Sequence, residues 1–192
     1  MHIMFGLDGL TMLAMLVGAL WLGVRLVQRV PFWRAVLQAA LAGYAAALLA
    51  VTLLEYAGQG LVGFDSAWRF INLIPLRTIL ELARPEHMHQ AVRQLLGNVV
   101  MFIPLGMLLP AVAARYRRPG ALLLAAACVS AGIELAQFAL RFVGLPGRSV
   151  DVDDVILNVL GAAVGYFVWR AFALLIRHFS PLTEVVAAAE QE

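Results

Sequence analysis

Five stretches of about twenty mostly apolar residues (5–24, 35–54, 95–114, 121–140 and 155–176) leave this chain few ways to fold. A helix of that length, rising 1.5 Å per residue, crosses a hydrocarbon core about 30 Å thick. The hydrophobic set makes up 62% of the 192 residues and charged residues only 14%, against roughly 45–50% and about 25% in soluble domains. A soluble globule is excluded. The expected fold class is an all-α membrane protein, a bundle of about five transmembrane helices. The first stretch is read as a retained span and not a signal peptide, because its basic residues (Arg25, Arg29, Arg34) follow the apolar run.

The net charge of +2 arises from 14 arginines set against 12 carboxylates, and the chain has no lysine. Lysine Schiff-base and P-loop chemistries are thereby excluded. The arginines are spread among the loops with no basic stripe, so no nucleic-acid partner is expected. Arginines flanking short loops mark the cytoplasmic side. Arg25, Arg29 and Arg34 follow the first span, Arg115, Arg117 and Arg118 the third, and Arg170 and Arg177 close the fifth. With five spans all three groups share one side, which predicts an outside N-terminus and a cytoplasmic C-terminus. The single cysteine, Cys128, excludes an intrachain disulfide and a cysteine-based metal site.

Between the second and third spans, residues 55–94 are too many for a simple hairpin and too polar to cross. Phe64, Trp68, Phe70, Ile71, Leu73 and Ile74 nevertheless suit the membrane interface. This segment is expected to be interfacial or re-entrant, with Thr78 to Glu81 forming a capping box after Pro75. His87 and His89 read as solvated loop residues, and the HExxH, GxSxG and CxxC patterns are absent. The tail beyond Pro181 reads as a short amphipathic or frayed end.

The informative residues are the polar ones inside the spans. Asn98 is expected about 5 Å inside the outer end of the third span, and Glu134 about 20 Å along the fourth. Asp151, Asp153 and Asp154 stand at the mouth of the fifth, with Asn158 one turn deeper. All therefore lie in the outer half of the membrane. At about 100° per residue, Glu134, Gln137 and Arg141 share one helical face, and Asp151, Asp154 and Asn158 share another that continues into Gly161 and Gly165. Asp153 is expected to point away. The small residues Gly161, Ala162 and Gly165 would let a second backbone approach, making the fifth span the centre of the bundle.

A mid-membrane carboxylate costs roughly 2.5–3.5 kcal/mol on insertion scales, so Glu134 must face protein or water, with Arg148, Arg141 and Asn98 as candidate partners. Such groups can also serve as plain interhelical hydrogen-bonding partners, and Ser149, Asp151 and Asp153 as helix caps. Asp151 and Asp154 could act as hard oxygen ligands, but with no third firm ligand no metal is assigned, and no cofactor is expected. Pro104 removes one amide from the third span, so Val100 loses its usual donor and the helix should bend.

From about Asn72 to Tyr166 the sequence resembles the VanZ-like family of small bacterial membrane proteins. The resemblance rests on Asn72-Leu73-Ile74-Pro75, on Asn98 followed by Phe102-Ile103-Pro104-Leu105-Gly106, and on Ser130, Glu134 and Gln137. It extends through Arg148, Asp151, Asp154, Asn158, Gly161 and Gly165. It implies a helical protein of the bacterial inner membrane, whose founding relatives are associated with low-level resistance to the glycopeptide teicoplanin. The expected parts are a two-helix N-terminal hairpin (1–56), a membrane core (57–178) and a cytoplasmic tail (179–192).

The expected functional layer is thus Asn72, Asn98, Glu134, Gln137, Arg141, Arg148, Asp151, Asp154 and Asn158, with Pro104, Gly161 and Gly165 serving helix packing. The first reading is a binder of an amphiphile, either an envelope lipid or the acyl tail of a lipoglycopeptide, with Arg141 and Arg148 on its phosphate or carboxylate. The second is an enzyme on a lipid-linked substrate, using Glu134 and Asp154 as acid and base. The third is a subunit of an envelope complex or a homo-oligomer, docked through the small-residue face of the fifth span.

Overall fold

The computed structural model describes residues 7–54, 71–142 and 150–189. Six helices carry the fold. α1 (Leu7–Val27) and α2 (Phe32–Leu49) form an antiparallel hairpin, and α2 ends in a π turn, Ala50–Leu54. After the short strand β1 (Ile71–Asn72) comes α3 (Arg77–Leu82), then α4 (Met88–Val112), which contains a second π turn at Val92–Leu96. α5 (Pro119–Phe142) follows, and β2 (Val150–Asp151) leads into α6 (Val152–Ala189). The helical backbone of α6 continues past Pro181 to Ala189, where the sequence pointed to an amphipathic or frayed end.

Among the described residues four helices are long and apolar enough to cross a membrane: Phe32–Leu53, Met88–Val112, Pro119–Phe142 and Val152–Ile176. α1 adds a shorter apolar stretch, Thr11–Val27, beside α2. The polarity of the bundle is inverted relative to a soluble protein. Leu124, Leu135 and Phe167 are two-thirds exposed, while Asn98, Ser130, Glu134, Gln137, Arg141, Asp153 and Asn158 are buried. In water that apolar belt would be an aggregation surface. In lipid tails it is the solvated face, and polar side chains turn inward to find partners. The chain is therefore a multi-pass helical membrane protein.

The core sits where α4 crosses α6, with α5 alongside. Phe102, Leu105, Ala126, Ile133 and Ala162 form it together with Leu48 of α2. Three glycines set how close the two backbones come. A Cβ on Gly161 would lie 2.0 Å from the Val99 carbonyl oxygen, one on Gly165 2.1 Å from that of Ile103, and one on Gly106 2.1 Å from that of Ala162. No other residue type fits at these points. The small-residue face of α6 is thus spent on α4, and Gly106 is its counterpart on the facing helix. Pro104 and Pro110 both lie inside α4, and the helical assignment runs through them to Val112.

The connection between α2 and α4 is more organised than an amphiphilic loop. β1 pairs in parallel with β2, Ile71 opposite Val150 and Asn72 opposite Asp151. α3 then lies against the start of α6. The expected capping box at Thr78 and Glu81 does not form. The α3 N-cap is Leu76, which provides no side-chain cap, and Glu81 instead pairs with Arg77 at 3.0 Å. His87 ends a 3₁₀ turn and His89, exposed, lies inside α4.

Candidate functional site

The antiparallel order of α2, α4, α5 and α6 brings four helix ends together on the side opposite Arg25, Arg115, Arg117, Arg118 and Arg170. There the C-terminal turn of α2 meets the N-terminal part of α4, the last turns of α5 and the first turns of α6. Gln137 Nε2 donates to the Thr52 carbonyl at 2.9 Å, Asn98 Nδ2 donates to Asp154 Oδ1, and Asn158 Nδ2 donates to Ser130 Oγ at 2.9 Å. Three interhelical contacts thus tie α2 to α5, α4 to α6 and α5 to α6 toward this end of the bundle. Asn98 stands ten residues into α4, about 15 Å from its start, deeper than the 5 Å expected, because the helix begins at Met88.

Asp151 is the hub of this end. Its Oδ1 accepts from Asn72 Nδ2 at 2.9 Å and from the Asp153 amide at 2.9 Å, and its Oδ2 accepts from Thr78 Oγ1. Its own amide donates to Glu134 Oε2 at 3.0 Å. Asn72 is held in turn: its Nδ2 also reaches Thr78 Oγ1 at 3.0 Å, and its Oδ1 accepts from the Ile74 amide at 3.1 Å. A carboxylate accepting several hydrogen bonds at a helix N-terminus is well stabilised when shielded from water. Asp151 therefore joins the α2–α4 connection to α6 and, through its amide, orients Glu134.

Asp153, expected to point away, is fully buried. Its Oδ1 accepts from the Leu76 amide at 2.5 Å and its Oδ2 from the Ile79 amide at 3.2 Å. It is the cap that α3 lacks locally, supplied from the first turn of α6. Leu76 has φ 67°, a left-handed conformation that costs a bulky residue about 1–2 kcal/mol, and the charged hydrogen bond from its amide to Asp153 holds it there. The sequence pattern offers Thr78 as a local cap and turns Asp153 away; it does not announce that Thr78 reaches Asp151 and Asp153 the amides of α3, across more than seventy residues.

Beside this layer lies a pocket of about 340 Å³ between α5, the start of α6 and β1. Glu134 and Asp151 are its polar residues, and Ile71, Leu73, Leu135, Phe138, Val152 and Val155 are among its apolar walls. Glu134 is 7% exposed. Arg141 is buried on the same face of α5, one turn beyond Gln137. Among the described residues no group of three His, Cys, Asp or Glu side chains is arranged to hold a metal ion. Arg148 lies outside the described residues.

The VanZ/LLP1 family model matches residues 41–175, more than two thirds of the chain. The chain belongs to the VanZ/LLP1 family. No curated protein and no solved structure matches it. The match begins inside α2 and ends inside α6, so it takes in the whole polar layer of this VanZ/LLP1 protein and leaves out α1. Of the residues singled out in the sequence, Asn72, Asn98, Glu134, Gln137, Asp151, Asp154 and Asn158 are all drawn into the end of the α4–α5–α6 core away from the arginine-rich one. Gly161 and Gly165 form the crossing just beneath them.

Proposed function

We propose that this VanZ/LLP1 protein holds the apolar tail of an amphiphile in the pocket beside Glu134, with the polar head at the layer of buried carboxylates and amides. The carrying observation is the composition of that pocket: aliphatic and aromatic walls ending on Glu134 and Asp151, the combination an amphiphile with a hydrogen-bonding head requires. Glu134 positions the head, and Arg141 meets its phosphate or carboxylate through the planar fork of the guanidinium. Asp151 and Asp153 hold β1 and α3 against the start of α6, and Asp151 bounds the polar end of the pocket beside Glu134.

The arginine-rich end faces the cytoplasm, which places the pocket in the outer leaflet of the bacterial inner membrane, with the N-terminus outside and the C-terminus inside. Envelope lipids and the acyl tail of a lipoglycopeptide both meet the protein in that leaflet. Binding the latter contributes resistance to teicoplanin, which carries an acyl chain, and not to vancomycin, which lacks one.

Survival of a susceptible host on the two glycopeptides tests this, comparing empty vector, the protein and Glu134→Gln at matched membrane abundance. Protection confined to teicoplanin and lost in the variant is expected. No protection from abundant, folded protein contradicts the resistance role.

A further inference from the structure

A second groove, on the opposite side of the polar layer, has no part in the pocket beside Glu134. It lies between α2 and α4, encloses about 440 Å³, and is walled by Tyr44, Ala47, Leu48, Val51, Met101 and Pro104. Two features separate it from an ordinary gap between helices. Both π turns of the described residues border its outer end: Val51 belongs to Ala50–Leu54 and Arg93 to Val92–Leu96, and both residues line the groove. A π turn widens a helix at a cost in hydrogen-bond geometry and concentrates at functional sites.

The second feature is charge. Arg93 is exposed at the outer end of the groove and has no ion pair among the described residues. A guanidinium on a helix facing hydrocarbon is costly unless it meets an anion or the interface.

We propose that the α2–α4 groove seats a membrane phospholipid, one acyl chain along Tyr44, Leu48, Met101 and Pro104 and the phosphate on Arg93. The glycerol backbone then lies beside Val100 and Asn98. The occupant is a bilayer lipid because the groove opens sideways between two spans and combines an apolar trough with a single cation at its outer end. An acyl chain fills the trough, and a phosphate is the anion that guanidinium binds bidentately. This seat is independent of Glu134, which lines the other pocket.

Gly97 makes the seat testable. It lines the groove, and a Cβ built on it meets nothing within 4 Å, so a side chain can start there without a backbone clash and Gly97→Phe puts a ring into the trough. The experiment is native mass spectrometry of the full chain released from detergent, supplied with phosphatidylglycerol or with diacylglycerol of the same acyl chains. The wild type is expected to retain phosphatidylglycerol over diacylglycerol. Arg93→Gln should weaken retention of the phosphatidylglycerol seated there roughly tenfold, the size of one charged hydrogen-bonded contact, Gly97→Phe should remove one bound phosphatidylglycerol, and Leu124→Ala, on the exposed face of α5 and lining neither pocket, should leave the number bound unchanged. Equal retention of the two lipids, retention insensitive to both groove variants, or the same loss in Leu124→Ala overturns the proposal. Arg93→Gln alters an exposed side chain, so it decides the outcome even where Gly97→Phe fails to accumulate.

Discussion

The bundle contains two glycine-mediated helix crossings, and they differ in what they hold. Where α1 crosses α2, a Cβ on Gly43 would sit 2.8 Å from the Ala14 carbonyl oxygen and one on Gly18 3.2 Å from that of Ala39. Where α4 crosses α6, the corresponding distances are 2.0–2.1 Å and the contact is backbone to backbone. The first crossing carries its interhelical polar contact at the arginine-rich end, where Arg25 Nε donates to Gln38 at 2.5 Å. The second has a buried layer of carboxylates and amides stacked on it. A tight crossing fixes two backbones to within tenths of an ångström, and buried charges tolerate no looser support, because a misplaced partner leaves an uncompensated ion in low dielectric. The difference teaches that glycine packing here supports the polar site, while in the N-terminal hairpin it only joins two helices. The family match, which begins inside α2, falls on the tight crossing.

That contrast can be broken most severely at Gly161. Gly161→Ala drives a methyl into the Val99 carbonyl, and overpacking against backbone should cost about 3 kcal/mol or more. Little monodisperse protein should survive size-exclusion chromatography in detergent. Asp153→Ala should come next: removing a buried acceptor shared by two amides costs about 1.5–3 kcal/mol and releases the Leu76 turn. Trypsin should then cut after Arg77 faster than in the wild type, while α4, α5 and α6 stay assembled.

In the looser crossing the same chemistry should be mild. Gly43→Ala should lower stability by about 1 kcal/mol in a thermal-shift measurement, because the Ala14 carbonyl has to retreat by a few tenths of an ångström. Gly18→Ala should be nearly neutral, within about 0.5 kcal/mol, since its contact is longer and alanine gains helix propensity over glycine. An equal penalty at Gly18 and Gly161 would erase the distinction between the crossings.

Much of this contrast is legible in the sequence, and the rest is not for a definite reason. Long apolar runs announce the spans, and the 3.6-residue period places Glu134, Gln137 and Arg141 on one face and Asp154, Asn158, Gly161 and Gly165 on another. Those are properties of single helices. Gly106 escaped because its importance exists only opposite Ala162 and Gly165. Asp153 was misread because the helical period assigns it a direction within α6, whereas its carboxylate reaches amides of α3 beyond the end of its own helix. The Thr78 to Glu81 pattern looked like a local cap, yet Thr78 is committed to Asp151 and Asn72. Asn98 was placed too shallow because His89, Gln90 and Arg93 make the first turns of α4 look like loop. Two-residue strands and π turns leave no periodic trace at all.

The central claim is that the pocket beside Glu134 is a selective seat and the lipid face of α1 is not. A photo-crosslinking phenylalanine analogue placed at Phe138 in the pocket wall, or at Met12 on the 70%-exposed lipid face of α1, tests it in native membranes. A restricted set of lipid-mass adducts at Phe138 that disappears with Glu134→Gln, set against a broad set at Met12 that ignores the substitution, is the predicted result. The same broad set at both positions, unchanged by Glu134→Gln, would contradict the account.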